Sequence, residues 1–259
     1  MSDILLERRG PAVALVTINR PHRRNALNGD AWRDLGNTFT RLGADPTVRA
    51  IVITGAGGAF CAGDDIAAFA AVRDRPEERA RYWDYIMACY AAVSAAKVPV
   101  VAAISGPCVG GGCTVALRAD FRIADRTARF GVPPAKLGLV YPPDSTQLLV
   151  ATAGPNVAKR MLYAGDLIGV DEAKACGLVT RIAEGDVVAD ALAYVEPMTR
   201  NAPLSIEAGK LAVNSVMLGR ASEFAAQVNE LSRIADASED SMEGARAFVE
   251  KRPPKFIGR

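Results

Sequence analysis

The sequence predicts an α/β protein that ends in a run of helices. Three observations carry this expectation. Apolar, β-rich runs alternate with amphipathic stretches through the first three quarters of the chain. Strand signals stop from about Pro197. Half of the 259 residues are hydrophobic, enough to bury a sizeable core.

The elements follow in order. "AVALVTINR" (12–20) reads as a strand, "DAWRDLGNTFTRLGAD" (30–45) as an amphipathic helix, and "RAIVITGAG" (49–57) as a buried strand ending in a glycine turn. Helix "RARYWDYIMACYAAVSAAK" (79–97) and strand "PVVAAIS" (99–105) come next, then the glycines of "CVGGGCTVAL" (108–117) opening a helix, then strand "DFRIA" (120–124). In the last quarter, "SIEAGKLAVNSVMLGR", "EFAAQVNELSRIADAS" and "SMEGARAFVEKR" read as consecutive helices. Phe224, Val228, Leu231 and Ile234 form an apolar stripe for the body of the protein or for another subunit.

Composition excludes several classes. Lys and Arg total 31 against 29 Asp and Glu and are scattered, so nucleic acid is not an expected partner. Five cysteines without a CxxC pair, and a charged rather than apolar start, point to free thiols in a cytoplasmic protein. Val98 to Leu117 is uncharged over a membrane-length span, but its prolines and glycines break a helix where lipid offers no replacement hydrogen bonds. "TGAGGAF" lacks the third glycine of a dinucleotide loop, and Gly209-Lys210 lacks a phosphate loop. The single histidine, His22, reads as a loop residue, which leaves no metal site and no histidine triad.

The triple glycine at 110–112 weakens the helix it opens by roughly 0.5–1 kcal/mol per residue. Amides in the first turn of a helix have no intrahelical partner, and glycine lets a ligand oxygen reach them, so Gly111 is the expected donor. A second glycine stretch, "GGAFCAGDDI" (57–66), also follows a buried strand and precedes a helix, and two such termini can aim two N–H groups at one oxygen.

"RPHRRNAL", "AIVITGAGGAFCAGDDI", "PVVAAISGPCVGGGCTVALRADFRIADRTARFGVP", "AKRMLYAGDLIGVDEAKACGLVTRI" and "SEDSMEGARAFVEKRPPKFIGR" resemble, in order, the enoyl-CoA hydratase/isomerase (crotonase) superfamily. The resemblance implies a spiral of ββα units over 1–197, which binds and transforms a CoA thioester, and a helical region over 198–259 for assembly into trimers or dimers of trimers. It implies an acyl-CoA substrate and no separate cofactor. Its enolate donors fall on Asp64 and Gly111; Arg24, Ala26, Leu27, Ala62, Asp65 and Ile66 fall where the family contacts CoA. Lys251 or Phe256 is expected to contribute from the tail.

The chain departs from the hydratase pattern at both acid/base positions. Where the family has two glutamates, this sequence has Thr114 and, in "FGVPP", Pro134. Neither side chain exchanges a proton near neutral pH. "LGLVYPPDSTQ" supplies Tyr141 and Asp144 nearby. Methylmalonyl-CoA decarboxylase is similar in having proline for the second glutamate and a tyrosine at the place of Tyr141, but keeps an acid where Thr114 stands. Three functions are therefore expected: an enolate-forming acyl-CoA enzyme, a malonyl-type CoA decarboxylase, or an acyl-CoA-binding oligomer without turnover. Asp64 raises its own question. A carboxylate about 4 Å from an enolate oxygen repels it by roughly 4 kcal/mol, so its side chain is expected to turn away, be neutralised, or hold a proton.

Overall fold

The computed structural model describes residues 2–259. A hairpin of β1 (Ile4–Arg9) and β2 (Val13–Ile18) is followed by α1 (Gly29–Ala44) and by β3 (Ala50–Gly55), which lies parallel to β2. The short α2 (Ile66–Val72) and long α3 (Pro76–Ser94) lead to β4 (Val100–Ile104), parallel to β3. Then come β5 (Pro107–Val109), α4 (Gly111–Arg118), β6 (Phe121–Ala124), β7 (Arg129–Gly131) and α5 (Pro143–Lys159). Next are β8 (Ile168–Gly169), α6 (Val170–Ala175), β9 (Arg181–Ile182) and α7 (Val187–Thr199). Three helices close the chain: α8 (Pro203–Met217), α9 (Ala221–Asp236) and α10 (Glu239–Glu250). The six-stranded sheet has the order β1-β2-β3-β4-β6-β9, and β5-β7-β8 form a second, smaller one. The α/β body with helical tail agrees with the sequence expectation.

Alternation along the strands gives the large sheet two buried faces, as parallel sheets require. Ala14, Val16, Ile18, Ile51, Ile53, Val100, Ala102 and Ile104 join the main core with α1, α3 and α4. Val13, Leu15, Ala50, Val52, Val101 and Ala103 face the other way, onto Val187, Ala191 and Val195 of α7. In α1, Asn28 caps the helix by accepting from the Ala31 amide at 2.9 Å, and Ala31, Trp32, Leu35, Phe39 and Leu42 make one buried stripe. Each large side chain of that stripe contributes about 1.5–3 kcal/mol through burial. Gly36 lets α3 approach: a β-carbon there would lie 3.1 Å from Cys89 Cα.

The uncharged span 98–117 is divided among β4, β5 and the first turns of α4, and no helix among the described residues is long and apolar enough to cross a membrane. Pro197 lies in the last turn of α7, and the core gives way to the terminal helices between α7 and α8. α9 buries none of its residues: Phe224, Val228 and Leu231 are half-buried and Ile234 is exposed.

Candidate active site

Parallel strands β3 and β4 end side by side, and their outgoing loops stay together. This is the edge of an open α/β sheet where ligand sites form. The Phe60 amide donates to Ser105 O (2.7 Å), Cys61 N to Pro107 O (2.9 Å), and Val109 N back to Cys61 O (2.9 Å). Glycine makes this contact possible. A β-carbon on Gly63 (φ +99°) would lie 2.8 Å from Val109 O and 3.3 Å from Gly111 N, and one on Gly112 would lie 2.4 Å from Cys61 O. Gly110 (φ +53°) caps α4, and its amide donates to Gly131 O at 2.9 Å.

The two expected donor amides lie in these touching loops. Neither the Asp64 nor the Gly111 N–H donates to a protein acceptor among the described residues. Gly111 opens α4 and carries the positive end of its dipole. The expectation of a second helix terminus needs correction. Asp65, not Asp64, caps α2, its carboxylate accepting from the Ala68 amide at 3.3 Å, so Asp64 precedes the helix and offers an extended-loop amide. Its neighbours on both sides are fixed by a parallel bridge to Leu27: Leu27 N donates to Gly63 O (2.8 Å) and Asp65 N to Leu27 O (2.9 Å).

That bridge also unites the expected CoA contacts, because Ala62 N donates to Arg24 O at 3.0 Å and brings Arg24–Leu27 alongside Ala62–Ile66. Arg24 and Ile66 are exposed and Ala62 is half-buried. Leu27 is wholly buried, and the Asp65 carboxylate is engaged by Arg20 at 3.3 Å, so these two shape the ribbon from within rather than offering side chains to a ligand. Lys251 caps α10 and Phe256 rests on Gly244, which ties both to the C-terminal helices. His22 sits in an exposed turn.

Around the glycine loop the side chains form a connected polar cluster. The Asp64 Oδ1 accepts from Trp32 Nε1 at 2.9 Å. The Trp32 ring edge and the Tyr90 hydroxyl both line Gly111: a β-carbon there would lie 2.8 Å from Trp32 Cζ2 and 3.1 Å from Tyr90 Oη. Tyr90 packs edge-on against Trp32, centroids 5.6 Å apart, and the Arg118 guanidinium lies 4.7 Å from its ring centroid. Thr114 Oγ1 donates to Gly110 O (3.1 Å) and is 2.7 Å from Tyr141 Oη. Pro134 opens the 3-10 turn that precedes Tyr141.

The carboxylates divide sharply. For Asp144, burial acts upward, but Arg118 (2.7 Å) and the Ser145 amide (2.8 Å) outweigh it and hold the carboxyl below its ordinary range. Asp144 does not cap α5, whose cap is Pro142; it pairs with Arg118 instead. Asp64 has no cationic partner among the described residues, and burial pushes its carboxyl up to about 6, with the Trp32 bond acting in the opposite direction. It does turn toward the indole, yet the edge of that indole also lines Gly111. Burial raises the Tyr90 and Tyr141 hydroxyls well above the usual phenol range, so both remain O–H donors at neutral pH.

Sequence reading missed Trp32, Tyr90 and Arg118. Arg118 left a trace, a lone charge four residues after Thr114 and hence on the same helix face. Trp32 and Tyr90 left none, because an aromatic at helical spacing reads as core.

The comparisons with known proteins agree with this architecture. The family model described as "Enoyl-CoA hydratase/isomerase" matches residues 8–259. The 2,3-dehydroadipyl-CoA hydratase of Escherichia coli is 33% identical over 260 residues, covering 100% of both chains. The crotonyl-CoA hydratase of Syntrophomonas wolfei is 34% identical, covering 99% of this chain and 98% of the relative. The crystal structure of an enoyl-CoA hydratase from Bacillus anthracis superposes with a TM-score of 0.89 at 29% identity over 100% of each chain. Matched from β1 to its last residue, the chain belongs to the enoyl-CoA hydratase/isomerase family.

Proposed function

We propose that this protein binds an acyl-CoA thioester and stabilises its enolate between the Asp64 and Gly111 amides. The observation that carries this reading is the pair of unsatisfied N–H groups on two loops locked together by glycine. An oxygen that gains charge in the reaction is held more tightly than the neutral carbonyl, and each such donor is worth about 100- to 1000-fold in rate. The ribbon of Arg24, Ala26, Leu27, Ala62, Asp65 and Ile66 would support the CoA moiety, and the CoA thioester needs no further cofactor. Hydration by a pair of glutamates is not expected, since the resemblance to the family sets Thr114 and Pro134 at those places. The exposed apolar faces of the terminal helices fit a homo-oligomer, a trimer or a dimer of trimers.

Acetoacetyl-CoA tests the reading, because its acidic α-carbon lets a polarising site draw it into the enolate with a distinct ultraviolet band. Binding with growth of that band is expected, and Gly111→Pro, which deletes one N–H but also sets a β-carbon 2.8 Å from Trp32 Cζ2, should abolish it in a variant whose circular dichroism shows that it still folds. Absence of binding by the wild type would refute the assignment. A second reading is favoured by the 2.7 Å contact between Thr114 and Tyr141 beside Pro134: hydroxyls that orient a carboxylate while carbon dioxide leaves and the hole receives the enolate. Release of carbon dioxide from methylmalonyl-CoA or ethylmalonyl-CoA would then exceed hydration of crotonyl-CoA. Binding of a broad acyl-CoA panel with no conversion would instead mark a binding oligomer.

A further inference from the structure

We propose that the Asp64 carboxylate is the group that moves the α-proton of the bound thioester, on an acyl-CoA whose double bond lies beyond the α,β position. This rests on the enolate reading above and adds the proton carrier that Thr114 and Pro134 do not supply. Three carboxylates surround the ribbon and the glycine loop, and two are occupied: Asp65 by Arg20 and Asp144 by Arg118. Asp64 is held only by a neutral indole N–H on Oδ1. Its Oδ2 has no protein donor among the described residues and is not fully enclosed. Trp32 Nε1 and Cζ2 share one ring carbon, so the indole edge that binds Asp64 is the edge that lines Gly111. The Asp64 amide and carboxylate belong to one residue, so a thioester oxygen held on the Asp64 and Gly111 amides lies within a side-chain length of that carboxylate.

Charge conservation removes the repulsion that an anion at this position would otherwise exert. Oδ2 takes the α-proton, the C–H electron pair becomes the Cα–C π bond, and the carbonyl oxygen takes the negative charge that Asp64 has just lost. The site carries one negative charge before and after the step. Return of the proton to Cα gives exchange with solvent; return to Cγ of a β,γ-unsaturated thioester moves the double bond into conjugation. One carboxyl suffices for both, whereas adding water requires a base and an acid.

The thiol and phenols packed around Asp64 keep their protons near neutral pH. On its own loop, burial holds the Cys61 thiol up to about 12, and on α3 the Tyr82 and Tyr90 hydroxyls are raised, in each case by burial first and then by the Asp64 charge. Trp32 on α1 does not titrate, and Asp65 is tied to Arg20.

The experiment compares wild type with Asp64→Asn, which keeps the backbone amide and the side-chain shape. Vinylacetyl-CoA in deuterated water is followed by mass spectrometry and NMR for α-exchange and conversion to crotonyl-CoA, with acetoacetyl-CoA as the binding probe. Asp64→Asn should bind acetoacetyl-CoA and still develop the enolate band, because that acidic α-proton passes to solvent without a protein base, yet lose exchange and isomerisation of vinylacetyl-CoA by about 100-fold or more. The wild-type rate should rise through a single ionisation near pH 6, and the variant should lack that limb. Equal exchange in the two proteins, or no wild-type exchange despite a normal enolate band, overturns the role of Asp64 alone. Failure of the wild type to bind acetoacetyl-CoA overturns the enolate reading and this inference with it.

Discussion

At the scale of single residues, the Asp64 carboxyl costs stability once it is ionised. Its carboxyl is raised from 3.8 to about 6, first by burial, so the folded state prefers the protonated form more than the unfolded chain does. The sign follows: that preference is fully satisfied below the unfolded value near pH 4 and is lost as pH rises through 6, where the buried charge becomes a cost. At 1.36 kcal/mol per unit, the cost above pH 7 is on the order of 2–3 kcal/mol. Asp64→Asn should therefore unfold at higher denaturant than wild type at pH 8, with the gap shrinking toward pH 4. A constant gap across that range would contradict the raised carboxyl. Trp32 makes an independent test. Its Nε1–H bond favours the ionised carboxylate, so Trp32→Phe, which keeps an aromatic against Gly111, should move the limb of the exchange profile to higher pH. A purely packing role would change the rate and leave the limb where it is.

Among elements, the junction of the β3–α2 loop with the β5–α4 loop decides whether the two amides meet. Gly63 and Gly112 are the contact points, and both face backbone, which cannot rotate away as a side-chain tip can. Gly63→Ala adds a β-carbon 2.8 Å from Val109 O in a left-handed conformation. It should destabilise by roughly 2–4 kcal/mol from overpacking and strain together and lower kcat/KM by at least about 100-fold through separation of the donors. Gly58→Ala, also at positive φ but with open space around it, should cost only about 1–2 kcal/mol and leave turnover nearly intact. Similar losses of kcat/KM in both would remove the special place given to this junction. These loops were legible in sequence because their signal is local: glycines after a buried run, ahead of a helix. The partners that tune them were not, since Trp32 comes from α1 and Tyr90 from α3, and only tertiary packing brings them to Gly111. The three-residue β5 and β7 and the two-residue β8 escaped for another reason. Segments that short carry no period of their own and exist because neighbouring strands and loops supply their hydrogen bonds.

Across the whole molecule, the α/β core satisfies its apolar faces and the terminal helices do not. The sheet is covered on one side by α1, α3 and α4 and on the other by α7, as the alternating strands require. By contrast, Val213 and Val216 of α8 are 59% and 67% exposed, and Met242, Phe248 and Val249 of α10 are 60%, 87% and 80% exposed. Scattered apolar residues on a surface are ordinary, but a helical region with this many large ones resembles an interface cut open. Burying each such side chain contributes about 1.5–3 kcal/mol, so a few per subunit against the same surface of neighbouring copies offset the cost of association. The proposed oligomer follows from this imbalance. Sedimentation should show a species several times the 27.3 kDa chain mass, and Phe248→Glu combined with Val249→Glu should shift it toward monomer while the α/β core keeps its circular dichroism. If the wild type sediments as a 27.3 kDa particle at every concentration, the terminal helices must serve a different surface, and the enolate site would have to be complete within one chain.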